Sequence, residues 1–136
     1  MSVPRLSAVA LDHVGIAVEA VDAPLAALLG APRELIEMPS GVAVGRFGPD
    51  AALELVASAR PGSPIERFLE RRGPGLHHVA LRVDESLETL LPRLEAAGFA
   101  AVGPVEPSSD GRPCVFLDPS TTGGVLVELV QGPRAG

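Results

Sequence analysis

At 136 residues the chain is one domain's worth of sequence, long enough to bury a core without disulfide staples. A net charge of −6 and the absence of Trp and Tyr argue against nucleic acid or an anionic membrane as its main partner. Cys114 is the single cysteine, so no intrachain disulfide can form, and the lack of any lysine excludes Schiff-base and P-loop lysine chemistry.

Met1 to Arg5 lead into no long apolar run of the secretion-signal kind, and the apolar stretch from Val14 is broken by Glu19 and Asp22, too soon to span a membrane. With the lone cysteine, this reads as a cytoplasmic protein. Val9 to Val18 has the pattern of a strand. Asp22 is a candidate N-cap for a short helix, Ala23 to Leu29, closed by Gly30. Strands follow over Glu34 to Met38, Val42 to Phe47 and Ala52 to Ala57, separated by the turns Pro39-Ser40-Gly41 and Gly48-Pro49-Asp50. Ser63-Pro64-Ile65-Glu66 has the form of a capping box and predicts a connecting helix to Arg72, ended by Gly73-Pro74-Gly75. The order then repeats. A strand over Leu76 to Val83 precedes a helix over Asp84 to Ala97, which Pro92 is expected to kink. A short strand over Phe99 to Val102, a polar loop over Pro104 to Arg112, and strands over Pro113 to Leu117 and Val125 to Gln131 complete it. The expected fold is therefore a single α+β domain of two tandem β-α-β-β-β modules, about 8–58 and about 75–132, joined by a helix at about 63–72 and forming a curved sheet around a metal-binding cleft.

The repeat extends to individual residues. Leu11-Asp12-His13-Val14-Gly15-Ile16-Ala17-Val18 aligns with Leu76-His77-His78-Val79-Ala80-Leu81-Arg82-Val83, and Leu53-Glu54-Leu55-Val56 with Val127-Glu128-Leu129-Val130. Side chains alternate across a strand, so His77 and His78 point to opposite faces. The alignment with His13 selects His78 for a site and leaves His77 a supporting role. One His and one Glu from each module suit a divalent first-row metal ion, with coordination positions left for substrate.

Other polar features carry less. Cys114 lies in a strand-like run and reads as a buried core thiol. Ser120 lacks the flanking glycines of a nucleophile elbow and reads as a turn residue. Gly123-Gly124 is a turn rather than a phosphate cradle, and Arg71-Arg72 a solvated helix end.

Together these segments resemble the vicinal oxygen chelate superfamily, with the glyoxalase/bleomycin-resistance fold. The stretches Ser63-Pro64-Ile65-Glu66-Arg67-Phe68-Leu69, Gly73-Pro74-Gly75-Leu76-His77-His78-Val79-Ala80 and Gly123-Gly124-Val125-Leu126-Val127-Glu128-Leu129 resemble its methylmalonyl-CoA epimerase branch in particular. The resemblance implies metal ligands at His13, Glu54, His78 and Glu128 for a divalent ion such as Co, Mn, Zn, Ni or Mg. It also implies an acyl-CoA thioester substrate, an enolate formed by loss of the α-proton, and a homodimer. Glu128 is the candidate proton-transfer base as well as a ligand. A second base found in some members would fall at Val44, which cannot serve. The His-Pro-Lys of many relatives is replaced by Asp118-Pro119-Ser120. A glyoxalase I-like lyase acting on a thiol adduct would have nearly the same ligand set. A non-catalytic small-molecule-binding module of the same fold commonly lacks the ligands, all four of which stand here. An extradiol dioxygenase needs two His and one carboxylate, which leaves Glu54 surplus.

Overall fold

The computed structural model describes residues 6, 10–22 and 24–133. Its strands are β1 (Ala10–Ala17), β2 (Glu34–Glu37), β3 (Val42–Phe47), β4 (Leu53–Ser58), β5 (Gly75–Val83), β6 (Ala101–Pro107), β7 (Pro113–Leu117) and β8 (Val127–Gln131). Its helices are α1 (Pro24–Leu29), α2 (Pro64–Arg72) and α3 (Leu87–Ala96), with a 3-10 turn over Pro119–Thr121. The α+β class and the twice-repeated order of strand, helix and three strands are as expected. Val9, Ala23 and residues 134–136, to which the sequence reading also extends, lie outside the described residues.

Contacts divide the chain into two compact units, one from His13 to His77 and the other joining Met1–Asp12 to His78–Gly136. In the first unit the strands lie in the order β2-β3-β4-β1, with β1 and β4 parallel and the other pairs antiparallel. In the second the order is β5-β8-β7-β6, with β5 and β8 parallel and the rest antiparallel. The topology of the repeat is thus the same in both.

Alternation across the strands sorts each sheet into two faces. In the first unit, Val18, Phe47, Leu55 and Ala57 pack with Leu25, Ala26 and Leu29 of α1. The opposite face, carrying Ala17, Val44 and Val56, packs under Ile65, Phe68 and Leu69 of α2. In the second unit, Val83, Val115, Leu117 and Leu129 pack with Leu87, Leu90 and Leu94 of α3, while Ala80, Cys114 and Val130 cluster on the other face. Cys114 is a buried core thiol, as the sequence suggests.

The helix ends follow their local chemistry. Ser63 is an extended N-cap whose Oγ accepts from the Glu66 N–H at 3.1 Å, and the Glu66 carboxylate accepts from the Gly62 N–H at 3.1 Å. Gly73, at φ 73°, closes α2 through its N–H to the Leu69 carbonyl at 2.8 Å. Helix α3 starts at Leu87 rather than Asp84, because Ser86 is the extended cap and Gln131 Oε1 accepts from the Leu87 N–H at 2.9 Å. The helix continues past Pro92 to Ala96.

Strand β6 departs further from expectation. It runs on through Pro104 to Pro107, where the composition suggests a polar loop. It is the outermost strand of its sheet and almost wholly exposed, so no apolar alternation marks it, and its prolines sit where a missing N–H is tolerated. Its register with β7 shifts between Val102 and Glu106, around Gly103 at φ 74°, as at a bulge.

Candidate functional site

The strand registers repeat the expected pairing within each unit. Parallel to β1, Glu54 is the register partner of Gly15, two residues beyond His13 and on the same face. Parallel to β5, Glu128 is the partner of Ala80, two residues beyond His78. Each unit therefore places a His and a Glu side by side on one face of a parallel strand pair. His13 Nε2 lies 3.5 Å from Glu54 Oε2, and His78 Nε2 lies 3.5 Å from Glu128 Oε1. All four residues are buried.

A separation of 3.5 Å exceeds the usual 2.7–3.2 Å of an N–H···O hydrogen bond. It is close to the spacing of two donors held by one ion, roughly 3.0–3.4 Å when each is about 2.1 Å from the metal. An imidazole nitrogen beside a carboxylate oxygen is also the donor chemistry of a first-row divalent ion. The residues of each pair fit such a group.

The His77 ring meets Phe68 of α2 edge-on, with centroids 4.9 Å apart. Phe68 in turn lies under the Arg72 guanidinium at 5.8 Å, at the exposed end of the helix. The Ser120 N–H and hydroxyl both donate to Asp118 Oδ1, at 2.9 Å each, so Asp118-Pro119-Ser120 is a capped turn.

Two features escape the sequence reading. The first is Arg46, 1% exposed, which stands opposite Glu54 in the β3–β4 hairpin. Its Nη2 is 3.5 Å from Glu54 Oε2, the oxygen that also faces His13, and its Nε is 3.8 Å from Glu34 Oε1. Counting across the Gly48-Pro49-Asp50 turn would have found it. The equivalent residue beside Glu128 is Phe116, whose ring meets the His78 imidazole edge-on at 5.5 Å.

The second is a buried ion cluster built on Arg112. Its Nη1 and Nη2 donate to Asp12 Oδ1 and Oδ2 at 2.7 and 2.9 Å, its Nε to Asp110 Oδ2 at 2.8 Å, and Nη1 also to the Gly132 carbonyl at 3.0 Å. Burial would lower the Arg112 pKa. The hydrogen bond and charge of Asp12, with Asp110, outweigh it and leave the pKa raised, so the guanidinium stays charged. The cluster fastens the start of β1 to the loop before β7 and to the residue that follows β8.

The family model for the glyoxalase/bleomycin resistance protein/dioxygenase superfamily matches residues 12–116. The chain belongs to this superfamily. An ethylmalonyl-CoA/methylmalonyl-CoA epimerase of Cereibacter sphaeroides is 37% identical to this superfamily member over 132 residues, covering 89% of this chain and 96% of that one. The crystal structure of methylmalonyl-CoA epimerase from Mycobacterium tuberculosis superposes with a TM-score of 0.79 at 32% identity, covering 91% of this chain and 89% of the other. A methylmalonyl-CoA epimerase solved in complex with methylmalonyl-CoA and NH4+ has a TM-score of 0.79 at 25% identity, covering 93% and 96%. Among the described residues of the superfamily member no helix is long and apolar enough to cross a membrane.

Proposed function

We propose that this protein is a metal-dependent epimerase inverting the α-carbon of a methylmalonyl-CoA-type thioester. The reading rests on the His–Glu pair that recurs in the same register in both units. It is supported by the 37% identical relative of that name and by the solved epimerase complexed with methylmalonyl-CoA. His13, Glu54, His78 and Glu128 are the proposed ligands of one divalent ion, among Co, Mn, Zn, Ni and Mg. When bound, such an ion supplies Lewis acidity that favours negative charge on the substrate's oxygens.

The chain's own residues move the proton. Glu128 is the proposed base: its carboxylate accepts the hydrogen of the α-carbon, and reprotonation from the opposite side inverts the centre. Phe116 opposite it, and the Ala80, Cys114 and Val130 cluster on the same face, give that carboxylate apolar neighbours. Val44, at the position where some family members carry a second glutamate, offers no proton, so the partner base is a different group. Glu54 acts as ligand.

Metal-loaded protein incubated with methylmalonyl-CoA in D2O should incorporate solvent deuterium at the α-carbon. If no tested metal supports exchange, the epimerase reading fails, and a lyase or binding role moves ahead. We further propose a homodimer. Strands β2 and β6, outermost in their sheets, carry exposed Leu35, Val102 and Val105. Light scattering at micromolar concentration should give twice the chain mass, and a strict monomer would sink this assignment.

A further inference from the structure

The two carboxylates of the repeat have different neighbours. Opposite Glu128 stands Phe116, and opposite Glu54, at the same register position of the hairpin, stands Arg46. A buried arginine on a sheet face whose apolar members are Ala17, Val44 and Val56 is costly unless its charge is matched. Here it is matched by the carboxylate proposed as a ligand, with Glu34 as a second, half-exposed acceptor.

We propose that Arg46 is a positioning residue that holds Glu54 by Oε2 and takes up part of its charge, making Glu54 the weaker metal donor and Glu128 the stronger. The inference rests on the metal reading above and deepens it. Its physical basis is competition. Glu54 Oε2 faces both the His13 imidazole and the Arg46 guanidinium at 3.5 Å, so a divalent ion held by Glu54 would share that carboxylate with a fixed cation. The guanidinium also restricts how the carboxylate can turn, as partners of metal ligands commonly do. Of the two effects repulsion is the larger, because a unit charge a few ångströms from a divalent ion changes affinity by about tenfold or more even at an effective dielectric of about 20. Removing the charge should therefore tighten metal binding, whereas a residue that served only to pack or orient would loosen it when removed.

The experiment is calorimetric titration with Co2+ alone, read also by the visible spectrum of the bound ion, on wild type, Arg46→Met and Arg46→Lys. Arg46→Met is expected to bind at least about tenfold more tightly. Arg46→Lys, which keeps the charge, should remain within about threefold of wild type. If wild type binds no ion and Arg46→Met does, the inference stands in its strongest form. If wild type binds and a folded Arg46→Met binds equally or more weakly, the inference is overturned while the metal reading survives. If neither binds, both fall. Should Arg46→Met not fold, the reciprocal variant decides. Phe116→Arg, placing the same cation beside Glu128, should weaken Co2+ binding at least about tenfold, and wild-type affinity there would overturn the proposal.

Discussion

Arg112 offers the sharpest test of how the second unit is held together. The Asp12 side chain is 1% exposed, and the Arg112 guanidinium meets both of its oxygens. Arg112→Met keeps much of the apolar stem and removes the cation, leaving Asp12 a buried carboxylate without that partner. Removing one member of a buried pair is worth about 3–5 kcal/mol, far more than an exposed pair. The lost donors to the Gly132 carbonyl and Asp110 place the effect toward the upper end. For a domain of this size about 4 °C of melting temperature corresponds to each kcal/mol, so the melt should fall by roughly 12–20 °C. Circular dichroism melts and urea titrations of the same samples would measure it. Asp12→Leu/Arg112→Met should recover part of the loss, because the stranded charge is gone. A loss under about 1 kcal/mol for Arg112→Met, or a double variant clearly worse than the single, would refute the argument.

Metal analysis of His13→Ala and His78→Ala should show loss of a bound divalent ion. His77→Ala, whose ring packs on Phe68, should keep it; the reverse pattern would invert the strand-face assignment. Glu128→Gln keeps an oxygen donor but accepts no proton, so deuterium incorporation should drop by about 10²–10⁴ while appreciable metal remains, and Glu54→Gln should be milder. Wild-type exchange rates in both would leave Glu128 a ligand and place the base elsewhere. Ser63→Ala removes the acceptor for the Glu66 N–H and the donor to Ser58 Oγ at 2.7 Å, and should destabilise by about 1–2 kcal/mol in urea unfolding.

What could be read from the chain alone followed the range of the forces concerned. That His13 stands beside Glu54, and His78 beside Glu128, was legible because strand periodicity is local and the repeat supplied its own control. Helix α2 was legible because a cap acts over three residues, from Ser63 to Glu66. Arg46 needed one more step, the register across a turn. Neither periodicity nor repetition singles it out, since its counterpart is Phe116. The Asp12–Arg112 pair was beyond reach. Its partners are 100 residues apart, and nothing in the composition near either one announces the other. Strand β6 was missed for a different reason: an exposed outer strand with prolines carries no apolar alternation by which to know it.

The lone thiol of the chain has an experimental consequence. Cys114 is buried in β7 with Ala80 and Val130, on the face that carries Glu128, and no other sulfhydryl competes with it. A disulfide reagent can reach it only when β7 separates from its neighbours. Labelling velocity under native conditions is therefore a clock for that opening alone. Compared with the urea-derived free energy of the whole chain, it reports whether the second unit opens by itself or the protein unfolds in a single step. A substrate analogue that slows the clock would reveal ligand-induced tightening without any assay of turnover.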